Sequence, residues 1–406
     1  MTDVDEVITR VHREEWARVV ATLARRIGDL DIAEEMAAEA FATAVERWST
    51  DGVPPNPGGW LTTTALRKAI DRLRREARRE EKHKEALMLL DDPEPVGAID
   101  DDRLRLLFTC CHPALSMEVR VALTLRLVGG LTVPEIARAF LVQETAIGQR
   151  ITRAKAKIKA ARIPYRVPSL EDLPSRVTGV LAVLFLIFNE GYLSSDPTKQ
   201  AVRGDLTAEA IRLTRLVHAL MPADGEVAGL LALMLLIEAR RTARVSASGE
   251  LVTLDEQDRG TWDRGLIAEG HALVRARLAS GQAPGRYQVL AAINAVHTDA
   301  RHVGQTDWSQ VVALYDRLVR LDPSPIVRLN RAIAVAELDG PHVALAEVDS
   351  LPLAGYHAFH AARAHLLRRL GQREESRAAY DRAIELAVNT GERAYLIRRR
   401  DELTGW

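Results

Sequence analysis

Leu131-Thr132-Val133-Pro134-Glu135-Ile136-Ala137-Arg138-Ala139-Phe140 and, after Leu141-Val142-Gln143, Glu144-Thr145-Ala146-Ile147-Gly148-Gln149-Arg150-Ile151-Thr152-Arg153-Ala154-Lys155 describe two helices joined by a brief turn. Thr132 is placed to cap the first helix and Pro134 sits in its first turn, where a missing backbone N–H is harmless. Ile136, Ala137, Phe140, Val142, Ile147 and Ile151 fall on the faces that pack the two together, behind a preceding helix over Glu118 to Gly129. This is a helix-turn-helix plan. Its second helix presents Gln143, Glu144, Thr145, Gln149, Arg150 and Arg153 outward.

Charge follows the same outline. The chain of 406 residues has 55 Lys and Arg against 56 Asp and Glu, a formal charge of −1, which excludes a globally polybasic binder. Locally the balance breaks. Residues 150–166 carry Arg150, Arg153, Lys155, Lys157, Lys159, Arg162 and Arg166 with no acid, and residues 60–84 carry nine bases against four acids. A charge run alone describes a solvated helix face; two basic helices around a helix-turn-helix also suit a polyanion backbone. Arg, Gln and Thr at the start of a groove-inserted helix can pair with base edges, whereas Lys155 and Lys157 can only hold phosphates.

Working outward, almost every segment has helical period. Val11, Trp16, Val19, Val20, Leu23 and Ile27 form one stripe, and Asp31, read as an N-cap with Glu34 as its capping-box partner, opens a helix containing Met36, Phe41 and Trp48. The chief strand signal is the alternation over residues 243–254, which predicts one small β-hairpin. Breakers at 53–59, 91–97 and 163–168 divide the chain. The expected class is therefore all-α, with domains at 8–84 and 103–163, an acidic linker at 85–102, and a helical extension at 169–406. Within the extension Tyr315-Asp316-Arg317 returns as Tyr380-Asp381-Arg382, 65 residues later, and the segment ending at Gly340 returns at Gly371, 31 residues later. Those offsets are about two and one times the 34-residue period of tetratricopeptide (TPR) helix pairs; an ordinary bundle with two similar hairpins is the other reading.

Residues 131–158, with Leu-Thr-x-x-Glu-Ile-Ala and the closing Arg153-Ala154-Lys155, resemble the DNA-binding C-terminal region of extracytoplasmic-function (ECF) sigma factors of bacterial RNA polymerase. The front of the chain is similar to their N-terminal region: Asp31 to Trp48 to the polymerase-binding helix, and Gly59-Trp60-Leu61 through Arg75 to the promoter-melting helix. Residues 165–405, including Phe188-Asn189-Glu190-Gly191-Tyr192, resemble the subgroup with a long TPR-like extension. Leu141 stands where the family's turn usually has Gly, and Arg67 near a usual Asn.

The resemblance implies a non-enzymatic, dissociable subunit that binds core RNA polymerase, recognises a two-part promoter and assists strand opening. It implies that Ala33, Glu34, Glu35, Ala38, Glu39 and Thr43 face the polymerase; a solvated acidic helix face is what those residues say unaided. An unstacked strand would meet Asn56 and Trp60 at the rigid loop, then Arg67, Lys68, Arg72, Arg74 and Arg75. Trp60 reads equally as a core anchor. The extension implies a further protein partner or ligand.

A polymerase-independent helix-turn-helix regulator with a TPR-like sensor is the alternative. No cofactor, metal or catalytic set is expected: Cys110-Cys111-His112 lacks a second ligand pair, and no phosphate loop or nucleophile elbow occurs. Asp255, Gln257, Asp258, Arg259 and Trp262, with Arg240 and Arg241, read either as a polar pocket or as a structural ion-pair network. The acidic start lacks a signal-peptide pattern, the longest apolar run, Val180 to Phe188, is nine residues, and the two cysteines cannot build a disulfide framework. A cytoplasmic chain with no membrane partner is expected.

Overall fold

The computed structural model describes residues 4–77, 102–139, 142–169, 171–192, 204–246 and 251–404. The chain is helical and divides into two compact units, residues 1–187 and 188–406. Residues 85–101 of the expected acidic linker, the bases Arg78, Arg79, Lys82 and Lys84, and Phe140 and Leu141 of the turn lie outside the described residues, while Asp102, expected in the linker, opens a helix.

In the first unit α1 (Val4–Ile27), α2 (Leu30–Asp51) and α3 (Pro57–Ala77) pack as a bundle, burying Trp16, Val20 and Leu23 against Met36, Phe41 and Trp48. The cap of α2 is Asp29, not Asp31. Gly28 leaves α1 at φ +74°, which sets Asp29 in extended backbone, and its Oδ1 accepts from the N–H groups of Asp31 and Ile32 at 2.9 and 3.3 Å. Glu34 is thereby free of any capping duty. At α3 the cap is Asn56, whose Oδ1 accepts from Gly59 N–H at 2.9 Å, with Pro57 at the first helical position.

Next come α4 (Asp102–Cys110) and α5 (Met117–Leu123), the latter running into a π-helical turn over Thr124–Val128 where one continuous helix was expected. The helix-turn-helix follows as α6 (Val133–Ala139) and α7 (Glu144–Ala160). Thr132 caps α6 reciprocally with Glu135: Thr132 N–H donates to Glu135 Oε2 at 2.8 Å and Glu135 N–H to Thr132 Oγ1 at 3.3 Å. Ile136, Ala137, Ile147 and Ile151 are buried as the pattern required. Tyr165, beyond α7, ties the unit together, its hydroxyl lying 3.0 Å from the Ala21 carbonyl and 3.1 Å from that of Asp102.

The helix α8 (Leu173–Tyr192) carries the boundary between the units. The second unit continues with α9 (Gly204–Leu220), α10 (Gly225–Glu238), α11 (Arg264–Ala279) and α12 (Arg286–Asp299). Then α13 (Trp308–Leu321), α14 (Pro325–Leu338), α15 (Pro341–Asp349), α16 (His357–Arg369), α17 (Arg373–Leu386) and α18 (Thr390–Asp401) pack each on the next. Gly340 at φ +90° and Gly371 at φ +75° turn the chain after α14 and α16, as the repeated segments anticipated. Between α10 and α11 the chain makes a closed loop whose ends meet at Asp263 N–H to Ala239 O, 2.9 Å. The expected hairpin is one antiparallel bridge there, Val245 to Leu251, with residues 247–250 outside the described set.

Gly130 resists substitution on two counts, its backbone conformation and its neighbours. Its φ is +68°, and a Cβ would lie 3.0 Å from Trp16 Cδ1. Gly130→Ala should lower unfolding stability by about 1–3 kcal/mol. Gly28→Ala, at φ +74° with nothing within 4 Å of a Cβ, should lose only about 1 kcal/mol. Urea denaturation of the two variants measures the difference.

Candidate nucleic-acid interface

The helix α7 has two unlike sides. Gln143, Glu144, Thr145, Gln149 and Arg153 are exposed and Arg150 half-exposed, so the proposed base-reading residues share one accessible stretch toward the N-terminal end. Arg153 Nη2 donates to Gln149 Oε1 at 3.2 Å, which holds both side chains along that face. Lys157 is exposed, its ammonium donating to the Ala114 carbonyl at 2.5 Å. Lys155 is different. Only 9% of it is exposed, and its ammonium is enclosed by Asp31 Oδ1 at 2.9 Å and Glu34 Oε2.

Glu34 lies on α2 and is one of the residues assigned to the polymerase by resemblance, so a proposed DNA-binding cation and a proposed polymerase-binding acid are bound to one another. A second cation joins them. The π-helical turn carries Arg126, which donates through Nε to Glu34 Oε1 at 2.5 Å and through Nη1 to the Leu131 carbonyl at 2.9 Å. Lys159 Nζ meets Asp29 Oδ2 at 2.8 Å at the edge of the same seam. Burial works to lower the pKa of Lys155, but Glu34 and Asp31 outweigh it and hold the ammonium above its usual range. Burial likewise works to raise that of Asp29, but Lys159 and the N–H groups of Ile32 and Asp31 overcome it and hold the carboxyl below the usual value.

Along α3 the basic residues divide similarly. Arg67, Arg74 and Arg75 are exposed. Lys68 pairs with Glu39 at 3.2 Å and Arg72 with Glu35, so two of the proposed strand-binding cations lie against two acids of α2. Asn56 spends its carbonyl oxygen on capping. Trp60 is half-buried, edge-on to the buried Trp48 with ring centroids 5.5 Å apart, so it anchors the bundle while part of it stays accessible. On α2, Ala33 is fully buried, Glu35, Ala38 and Glu39 are exposed, and Thr43 is half-exposed with its hydroxyl on the Glu39 carbonyl.

Comparison with known families places the two halves independently. Residues 13–79 match sigma-70 region 2 and residues 105–158 match sigma-70 region 4. An ECF RNA polymerase sigma factor of Mycobacterium ulcerans (strain Agy99), SigK, is 30% identical over 145 residues, 34% of this chain and 75% of its own length. The chain belongs to the ECF sigma factors. A probable ECF RNA polymerase sigma factor of Mycobacterium tuberculosis (strain ATCC 25618 / H37Rv), SigI, is 28% identical over 165 residues, covering 39% of this chain and 55% of its own. This sigma factor is also 44% identical over 396 residues to an uncharacterized protein of Rhizobium meliloti (strain 1021), covering 95% and 93% of the two chains, so that likeness runs through the extension. Residues 176–278 match a family of unknown function, DUF6596. No solved structure matches.

Sequence reasoning placed Lys155 of the sigma factor on DNA because it stands in a basic run. The contrary signal was present: Lys155 is four residues after Ile151 and three before Ile158, on the buried stripe of α7. Arg126 was missed because the π-helical turn that aims it at Glu34 breaks the ordinary helical period. The vicinal cysteines are buried, and burial pushes the Cys111 thiol up to about 11, which suits a packed helix end. Among the described residues no group of His, Cys, Asp and Glu is arranged to hold a metal ion, and no helix is long and apolar enough to cross a membrane.

Two measurements probe the seam. Lys155→Met should lower stability by about 1–3 kcal/mol, below the roughly 3–5 kcal/mol of a buried charge left alone, because Arg126 still neutralises Glu34. The pH dependence has a definite sign. A depressed Asp29 pKa contributes stability above its unfolded value and loses it as pH falls through the folded one; a raised Lys155 pKa contributes below about 10.5 and is lost as pH rises past its folded value. The urea-midpoint gap between the wild type and Asp29→Asn should stay constant from about pH 5 to 9 and shrink below about pH 4.

Proposed function

We propose that the chain directs transcription initiation as a dissociable subunit of RNA polymerase. The exposed face of α2, with Glu35, Ala38 and Glu39, meets the core enzyme; α7 inserts its N-terminal end into the major groove of the upstream promoter element; α3 and Trp60 engage the melted strand. The observation that carries this reading is the division of α7. Thr145, Gln149, Arg150 and Arg153 are left accessible by the same packing that buries Ile147 and Ile151, which is the geometry a groove-reading helix needs.

The seam adds a step. While Lys155 and Arg126 are committed to Glu34, Lys155 is unavailable to phosphate and Glu34 to another protein. Engagement of core polymerase and a two-part promoter therefore requires the exchange of these ion pairs for intermolecular ones, and the free chain is a weaker DNA binder than the opened one. The extension modulates this activity.

Run-off transcription with purified core polymerase is the direct test. Promoter-dependent initiation should appear with the wild-type chain and fall with Arg150→Ala and Arg153→Ala, each losing about 1–3 kcal/mol if its contact is bidentate to a base. DNA binding without polymerase-dependent initiation would instead favour the stand-alone regulator. For the seam, Glu34→Gln should raise the affinity of the free chain for duplex promoter DNA and steepen its salt dependence by about one unit as Lys155 is released. Unchanged affinity and slope would show that the seam does not restrain DNA binding.

A further inference from the structure

The closed loop between α10 and α11 bounds two adjoining cavities, of about 620 and 290 Å3, that share Leu254. The larger is walled by the loop, by His297 of α12, by Trp308 and Tyr315 of α13, by Ile333 of α14 and by Arg368 of α16. Its size lies within the roughly 300–1,000 Å3 of small-molecule sites. Glu256 of the loop pins the far side of this arrangement, pairing with Arg398 and Arg399 of α18 at 3.3 and 3.5 Å.

Buried polar atoms that lack a hydrogen-bond partner collect around these cavities. Arg259 Nη2, His297 Nδ1 and Thr306 Oγ1 belong to residues lining the larger one; Arg240 Nε and Gln257 Oε1 belong to residues lining the smaller. Native interiors rarely leave such atoms unsatisfied, and five around one loop point to a group that completes them.

The electrostatics give its sign. Arg240 and Arg259 are each 8% exposed. Among the described residues neither pairs with a carboxylate: Arg240 Nη2 donates to Asn294 Oδ1 at 2.8 Å, and Arg259 Nη1 to the carbonyls of His297 and Ala300 at 2.8 and 2.7 Å. Two acids line the larger cavity: Glu337, which is taken by Arg369, and Asp255, which is exposed to solvent. Burial lowers the pKa of both guanidinium groups, and Arg240 lowers that of Arg259 further. Burial and these two arginines hold His297 at about 4, and burial with Arg368, Arg369 and Arg399 holds His365 at about 4 against the opposing pull of Asp255, so both imidazoles are neutral. Buried cations without a counter-charge are strongly unfavourable, and an anion relieves them.

We propose that the larger cavity binds a small organic anion, an apolar body bearing one carboxylate or phosphate group, with the charged end taken by Arg259 and Thr306. Trp308, Val311 and Ile333 supply the apolar wall for the body of the ligand. The guanidinium geometry suits either oxyanion, since two N–H donors can face two oxygens of each. The site stands independently of how the chain acts in transcription.

Isothermal titration of the full chain with sodium benzoate and with phenyl phosphate tests the site and separates the two headgroups. Saturable, one-site binding of at least one probe is expected, with inorganic phosphate, which lacks the apolar body, binding more weakly. Arg259→Gln should weaken the tighter probe by about tenfold or more. Because Arg259 also holds two carbonyls, a second variant guards against misfolding. Ile333→Trp places bulk at the cavity wall from a side chain that is 43% exposed, and it should weaken the same probe while circular dichroism stays unchanged. Absence of saturable binding by both organic probes would overturn the proposal, as would equal affinity in the wild type and Ile333→Trp.

Discussion

Glu34 accepts two cations at once, and much of the first unit is arranged around that fact. Arg126 reaches its Oε1 and Lys155 its Oε2, so one carboxylate joins α2, the π-helical turn and α7. Each participant depends on a local feature. Asp29 rather than Asp31 caps α2, which leaves Glu34 facing the seam; the π-helical turn aims Arg126; Gly130, at positive φ and against Trp16, lets the chain turn from it into α6. Trp16 Nε1 closes the circuit by donating to the Arg126 carbonyl at 3.2 Å. A partly buried carboxylate with one cation would be marginal; with two, the desolvation of all three groups is offset.

How much of this was legible follows from what each feature depends on. The helices of the first unit, the helix-turn-helix and the exposed face of α7 were readable because they rest on local rules: apolar spacing, Thr132 before Pro134, and turn residues. The division into region 2-like and region 4-like halves was readable from motif order. The seam was not, since Glu34 stands 92 residues before Arg126 and 121 before Lys155 in sequence, and no local pattern pairs groups so far apart. The cap shift from Asp31 to Asp29 was hidden for a smaller reason. Both positions are Asp, and only the positive φ of Gly28 selects between them.

In the second unit the segment of residues 239–263 was read as a hairpin beside either a pocket or an ion-pair network. The fold makes it a closed loop with, among the described residues, a single bridge, and the ion-pair reading divides along it. Glu256 does join a network with α18, whereas Arg240 and Arg259 are buried with no carboxylate partner among the described residues. Sequence could not separate these cases, because an arginine beside acids in the chain need not meet them in space. Asp258 illustrates the point: its Oδ1 accepts from Gly260 N–H at 2.8 Å, capping a short 3-10 turn instead of pairing with the adjacent Arg259.

The two ends of α7 make the deepest physical contrast in the molecule. Over 17 residues its N-terminal turns keep polar side chains in solvent, while its last turns bring Lys155 and Lys159 onto acids of α2 and its N-cap. Both halves carry bases, Arg150 in the first and Lys155 and Lys159 in the second, and composition alone does not tell an accessible base from a committed one. What separates them is register: a residue on the Ile147, Ile151 and Ile158 stripe is drawn inward by the apolar contacts around it, and a lysine there must find a carboxylate. The acids that answer it stand on the helix whose outer face is the proposed polymerase surface. Interior packing thus joins α7, the proposed DNA-reading helix, to α2, the proposed polymerase-facing helix, through one carboxylate, and a partner that claimed Glu34 would loosen the hold on Lys155.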